Sequence, residues 1–404
     1  MIGILGIIAL LAIAVLLSDN RKAINLRTVF GAFALQAGVA ALVLYVPFGK
    51  EALGAAARGV QHVIDYANVG TQFMFGGLLN GSQGFIFAIN VLPIIVFLSA
   101  MMSVLYYLGI MQRIVGLLGG AIQKALGTSQ AESLSATANI FVGQTEAPLV
   151  VRPYINRMTD SELFAVMAGG LASIAGAVLA GYASMGVELK YLIAASFMAA
   201  PGGLLMAKII KPETEQPKEA QTDVEFDEED APSNVIDAAA GGALTGMKLA
   251  LNIGAMLVAF VALIALLNGM VGGLAGLVGI EGLTLQKILG VLFSPLAFLL
   301  GVPWVDATAT GSLIGQKLIL NEFVAYIEFI NVRESLSEQA QVISTFALCG
   351  FANLSSIAIL LGGLGGLAPK RRHDISRMGL KAVAAGTLSN LMSATLAGIF
   401  VSIV

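Results

Sequence analysis

Gly143-Gln144-Thr145-Glu146-Ala147-Pro148-Leu149 sits in the middle of a stretch, 133–158, whose remaining residues are mostly apolar. A single helix through this stretch would carry a proline and a carboxylate through its centre. The carboxylate costs about 2.5–3.5 kcal/mol at mid-bilayer even on a lenient insertion scale. The stretch is therefore expected to enter the membrane, turn back near the midplane and leave on the side it came from. Non-helical backbone is tolerated at that depth only where protein buries it or it lines water. A second stretch, 302–330, carries Asn321 and Glu322 in the same way and is read as a second re-entrant hairpin, entering from the opposite face.

Working outward from these hairpins, the chain has the composition of a membrane protein. Of its 404 residues 57% are hydrophobic and 12% charged, against about 25% charged in soluble domains. Its 47 glycines suit closely packed membrane helices. A net charge of −3 gives no footprint for nucleic acid. The single cysteine, Cys349, excludes a disulfide framework, and His62 and His373 are too isolated for a histidine metal site or triad. Eight spans are expected, at 2–17, 29–46, 85–110, 163–185, 191–210, 247–270, 343–361 and 378–404. The first lacks a basic leader and a cleavage site, so it reads as a helix rather than a signal peptide. Segments 51–79, 111–127 and 283–293 mix apolar and polar residues and suit helices lying on the membrane surface.

Basic clusters fix the orientation. Arg21, Lys22 and Arg27; Arg113 and Lys124; Arg152 and Arg157; Lys208 and Lys211; and Lys370, Arg371, Arg372 and Arg377 all fall on one side if both termini are periplasmic. The acidic run Asp227–Asp230 then lies in a cytoplasmic linker. The expected division is 1–110 for three helices and an interfacial helix, and 111–211 for a first repeat. A linker at 212–240 precedes 241–404, which holds the sixth helix and a second repeat.

The halves resemble each other. Glu132 follows Gly127 by five residues, as Asp306 follows Gly301, and the tip glutamates come 14 and 16 residues later. Each hairpin precedes a helix with a small, polar centre, Gly169–Gly176 and Gly350–Ala358, which is expected to break. The intervening spans start the second copy from the other face. The expected fold is thus an all-α polytopic membrane protein with eight transmembrane helices, two re-entrant hairpins of opposite orientation, interfacial helices and an inverted repeat. Such repeats place substrate and ion where hairpin tips and broken helices meet.

The residues near Glu146 and Glu322 are neutral: Gln144, Thr145, Asn321, Asn353, Ser355 and Ser356. A carboxylate can accept two hydroxyls of a vicinal diol, in bonds of about 1.5–3 kcal/mol each. With no basic residue recognised nearby, anionic cargo is disfavoured. Asn353 and Ser356, three apart, are expected to share a helix face. Asn139, the carbonyls near Val142, and Ser173–Ile174 offer oxygens for a hard cation. Helix capping by Asn139 and Ser173 accounts for those residues equally. Glu132 and Asp306 read as first-turn acids at helix starts, and Trp304 as an interfacial anchor.

The motifs Gly143-Gln-Thr-Glu-Ala-Pro-Leu149, Asn321-Glu-Phe-Val-Ala325 and Gly350-Phe-Ala-Asn-Leu-Ser-Ser-Ile-Ala358, in that order, resemble those of the concentrative nucleoside transporter family. The likeness runs nearly the whole chain. It implies a bacterial inner-membrane homotrimer in which a transport domain shifts, elevator-like, against a scaffold of the third and sixth helices. It further implies that Gln144, Thr145, Glu146 and Val178 meet the base of a uridine-like nucleoside. Glu322, Asn353 and Ser356 would hold its ribose, and Phe351 would line the site. Sodium would be bound by the Asn139 side chain, the Val142 carbonyl, Ser173 and the Ile174 carbonyl. Asparagine at 139 favours sodium over proton coupling. A proton-coupled nucleoside symporter, and an integral-membrane hydrolase using the two carboxylates, are the rival readings.

Overall fold

A computed structural model describes residues 2–79, 85–217, 232–277 and 279–403. Among them the regular structure is entirely helical. The chain opens with α1 (Ile2–Leu16), α2 (Leu26–Leu44) and α3 (Pro47–Phe75), the last covering most of the segment 51–79. A short α4 (Phe87–Asn90) bends into α5 (Leu92–Tyr107), where Pro93 removes a backbone donor. Then come α6 (Ile110–Leu126), α7 (Gln130–Ala138), the one-turn α8 (Arg152–Ile155), α9 (Asp160–Ala172), α10 (Gly176–Ser184) and α11 (Leu189–Ile210). The second half holds α12 (Val235–Gly276), α13 (Leu285–Leu299), α14 (Trp304–Ile319), α15 (Glu322–Val332), α16 (Glu338–Leu348), α17 (Ser356–Gly362), α18 (Leu364–Leu367) and α19 (Arg372–Ser402).

Six of the described segments are long and apolar enough to cross a bilayer: Leu26–Leu44, Phe87–Tyr107, Asp160–Ser184, Leu189–Ile210, Val235–Leu277 and Pro369–Ser402. The expected span at 2–17 forms a 15-residue helix, about 22 Å at 1.5 Å per residue. The span expected at 343–361 is not continuous: α16 ends at Leu348 and α17 starts at Ser356. The span expected at 247–270 is the middle of the 42-residue α12, roughly 63 Å long. That helix starts at Val235, inside the stretch expected to be linker. The acidic run Asp227–Asp230 lies outside the described residues. The segment expected at 283–293 is longer and less independent than foreseen. It belongs to α13, which turns by 116° into α14 at Gly301 (φ +103°) and packs along it.

Short sequence signals set where the functional helices start. Ser129 and Glu132 form a capping box on α7, and Thr159 and Glu162 form one on α9. Asn321 Oδ1 accepts from Val324 N at 2.9 Å and so caps α15. The Asn321 side chain, expected beside the cargo, thus gives its oxygen to capping. Glu132 and Asp306 are first-turn acids as expected, each with a further partner. Glu132 pairs with buried Lys208, and Asp306 accepts from the Ser337 hydroxyl at 2.5 Å.

The segments Asp160–Ser184 and Leu189–Ile210 are almost wholly buried, whereas α2 and α5 are mostly half-buried or exposed and α12 is largely exposed. The centre of the body is α9, α11, α16 and α19, packed on one another. Long α12 packs chiefly on α5, through the small face at Gly242 and Gly246 against Ser99 and Ser103. At one end of the body Asp160 meets Arg371 at 2.9 Å, Arg377 at 2.8 Å and Lys211 at 3.6 Å. Asp19, in the α1–α2 loop, pairs with Lys211 and Lys381 there. Several of the basic clusters used to orient the chain thus share one end.

Candidate functional site

Four interruptions of helix come together inside the body. The turn after α7 meets the break between α9 and α10, where Gly176 N donates to Phe141 O at 3.0 Å. That break meets the one between α16 and α17, where Phe351 N donates to Ser173 O at 3.1 Å. The latter meets the end of α14, through Leu354 N and Leu318 O at 3.1 Å. Backbone freed from helices therefore bonds to other freed backbone, as an apolar surrounding demands.

Glu322 opens α15 and is only 3% exposed. Its Oε1 accepts from the Tyr182 hydroxyl at 3.1 Å and its Oε2 from Asn353 Nδ2 at 3.0 Å. Asn353 Oδ1 in turn accepts from Ser355 Oγ at 2.7 Å and Ser356 N at 3.0 Å. Ser356 Oγ donates to Phe351 O at 2.5 Å. Asn353 and Ser356 do meet, though not on one helix face. Asn353 lies in the break, and its amide holds the first residue of α17.

Glu146 has different surroundings. Its Oε2 accepts from Gly143 N at 3.1 Å, closing the hairpin turn. The side chain also lines a cavity of about 480 Å³ between this turn and the α5–α12 pair. Tyr106, Gln112, Ser103 and Thr245 line the same cavity, and the Tyr106 hydroxyl is buried without a partner. Thr145, next to Glu146, is exposed and packs its methyl near Gly363. Phe351 approaches Gly143, while Val178 is buried on α10.

The turn after α7 has an excess of acceptors. Asn139 caps the end of α7, donating from Nδ2 to Ser135 O at 2.9 Å, but its Oδ1 is buried without a donor. Gln144 Oε1 and Ser135 Oγ are likewise unpartnered. The carbonyls of Val142 and Ile174 accept no backbone hydrogen bond among the described residues. Ser173 Oγ donates to Gly170 O at 3.2 Å, which leaves its lone pairs available. A buried set of bare oxygens is the environment a small hard cation stabilises. No cluster of three acidic, histidine or cysteine ligands is present among the described residues, so any cation here would be held by neutral oxygens.

Lys317, Asn390 and Tyr182 belong to the site but were not singled out from the sequence. Lys317 is 1% exposed and donates to Ala347 O at 2.8 Å and Asn390 Oδ1 at 2.7 Å. Asn390, on α19, donates from Nδ2 to Ala172 O at 2.6 Å and Cys349 O at 2.9 Å, the ends of both broken helices. The expectation that no basic residue lies near is therefore corrected: a buried ammonium sits one turn before the α14–α15 break. Its intramembrane position was the available signal.

Three family models cover almost the entire chain. They are the N-terminal part of the Na+-dependent nucleoside transporters at 5–78, a nucleoside-recognition gate at 88–188, and the transporters' C-terminal part at 191–398. This chain belongs to the concentrative nucleoside transporter family. The transporter is 54% identical to the nucleoside permease NupC of Helicobacter pylori, across 99% of its own length and 98% of the permease. It is 40% identical to mouse sodium/nucleoside cotransporter 1, across 99% of its own length and 63% of the longer mouse protein. The solved structure of CNTnw in an inward-facing substrate-bound state is 59% identical and superposes with a TM-score of 0.94 over 99% of this chain and 98% of that one. An outward-facing state of a CNTnw variant superposes at 0.97, over 100% and 99%. The transporter thus has the family's membrane fold, and nucleoside transport, not enzyme chemistry, is its activity.

Proposed function

We propose that this transporter imports nucleosides together with sodium, by elevator-type movement of the broken-helix body against the α5–α12 pair. One arrangement carries the reading: the sealed carboxylate of Glu322 and the donor-starved oxygens around Asn139 are joined by the same meeting of helix breaks. Glu322 takes the ribose hydroxyls, with Asn353 and Ser356 fixing its neighbourhood and Phe351 alongside. Gln144, Thr145, Glu146 and Val178 serve the base, which is uridine-like. Asn139, Ser173 and the carbonyls of Val142 and Ile174 hold sodium as cargo.

In this reading the two hairpins are 133–158 and 302–330, re-entrant from opposite faces within an inverted repeat. The protein is a homotrimer of the bacterial inner membrane with both termini periplasmic. Sodium binds first, satisfying the bare oxygens and fixing the first hairpin. Nucleoside then binds, and the loaded body moves inward. One charge through ~100 mV contributes ~2.3 kcal/mol. A tenfold sodium gradient adds ~1.4 kcal/mol. Together they support roughly 500-fold accumulation at one sodium per nucleoside.

Uptake of radiolabelled uridine into proteoliposomes at fixed pH tests this directly. Accumulation should require inward sodium and vanish when choline replaces it. Sodium-independent uptake driven by an imposed proton gradient would instead establish the proton-coupled alternative. Uptake without accumulation would indicate a passive pore.

A further inference from the structure

Glu322 is the one carboxylate of the site sealed from all sides, so its orientation is set entirely by protein donors. Among the described residues two side-chain donors reach it, and they divide its oxygens: Tyr182 donates to Oε1 and Asn353 to Oε2. A carboxylate offers about four lone-pair positions. One position on each oxygen therefore remains, which matches in number the two hydroxyls of a vicinal diol.

Tyr182 is fully buried among aromatic rings. Its ring lies 4.5 Å from Tyr326 and 4.6 Å from Phe323, both on the helix that Glu322 opens. The hydroxyl of Tyr326 is committed elsewhere, donating to Thr345 O at 2.8 Å. Among the described residues, the one hydrogen bond of the Tyr182 hydroxyl is to Glu322, across 140 residues of sequence. A phenylalanine would fill the same aromatic slot, so packing does not account for the hydroxyl.

We propose that Tyr182 is a specificity-determining positioning residue, whose hydroxyl turns Glu322 so that its two free acceptor positions read the 2′,3′-diol of a ribonucleoside. This rests on the reading of Glu322 as the ribose group. It adds that discrimination between ribose and deoxygenated sugars depends on a side chain that does not itself touch the sugar. Without the Tyr182 bond the carboxylate is fixed on one oxygen only and can rotate away from the diol.

The experiment compares binding of uridine and 2′,3′-dideoxyuridine to the purified full chain in saturating sodium, for wild type, Tyr182→Phe and Glu322→Gln. Tyr182→Phe should raise the uridine Kd about tenfold, the effect of a lost hydrogen bond to a charged group, and change the dideoxyuridine Kd less than about twofold. A general structural defect would weaken both ligands in equal proportion, and that result overturns the proposal, as does no change in either. If Tyr182→Phe cannot be recovered folded, Tyr182→Met carries the same comparison. Glu322→Gln separates the two levels. If it leaves the preference for uridine intact, the ribose reading itself fails. If it abolishes the preference while Tyr182→Phe keeps it, only the role of Tyr182 is wrong.

Discussion

Gly169 and Gly170 are neighbours in the last turn of α9, yet alanine should disturb the site at the second position and not at the first. A Cβ on Gly170 would lie 2.9 Å from Gln144 Cβ and 3.3 Å from Gln144 Cα. Relaxed carbon contacts are about 3.5–4.0 Å, so the hairpin turn would have to retreat by roughly half an ångström or more. Neither contacted atom is the free end of a flexible side chain, and the same Cβ lies 3.8 Å from Asn139 Oδ1. Retreat would therefore displace Gln144 and the turn that carries it, while Asn139 is met only at ordinary contact distance. Overpacking of this kind costs about 1–3 kcal/mol, or roughly five- to 150-fold in an equilibrium. A Cβ on Gly169 meets only Asn139 Nδ2, at an ordinary 3.6 Å. The assay is uridine binding titrated against sodium. Gly170→Ala should raise both the sodium concentration for half-maximal binding and the uridine Kd, while Gly169→Ala leaves both within about twofold. Equal behaviour of the two variants would refute the idea that contact between α9 and the hairpin turn shapes the site.

Asn139→Leu removes the buried Oδ1 with little change in volume, and should weaken sodium activation of uptake by about tenfold or more; an unchanged sodium titration would remove Asn139 from the cation site. Lys317→Met leaves Ala347 O and Asn390 Oδ1 without their donor, each at about 1–3 kcal/mol, and should lower the unfolding temperature of the detergent-purified protein even without ligand. Asp19 is held below the ordinary carboxylate value of 3.8: burial opposes this, but hydrogen bonds from Lys381 and Lys211 outweigh it. Its stabilising contribution is complete above that value and is lost as pH falls through the lower folded one. The difference in melting temperature between wild type and Asp19→Asn should thus be constant near neutrality and close only below about pH 4.

The parts of the site that were legible share a cause. Gln144–Glu146, Asn321–Glu322 and Asn353–Ser356 are polar runs where lipid demands apolar residues, and Ser173 sits in a run too small and flexible to remain helical. Each anomaly is visible in a short window. Tyr182, Lys317 and Asn390 are single polar residues in otherwise ordinary helices. Their partners lie 140, 30 and 218 residues away, so no local pattern announces them. Pattern also could not show that Asn321 would give its oxygen to a helix cap, or that Glu322 would be closed off while Glu146 faces a cavity. The helical class was readable from composition. The length of α12 was not, because its first turns carry the mixed polarity of a linker.

Asn390 has a consequence for slippage. One amide grips the carbonyl just before Ser173 and the carbonyl just before Gly350. The stretch beside the bare oxygens cannot drift from the stretch beside Glu322 without tearing both bonds. In the proposed transport cycle a passenger seated in one half would therefore stiffen the other. In that cycle the helix Arg372–Ser402 would act, through Asn390 alone, as the guard against an ion leak.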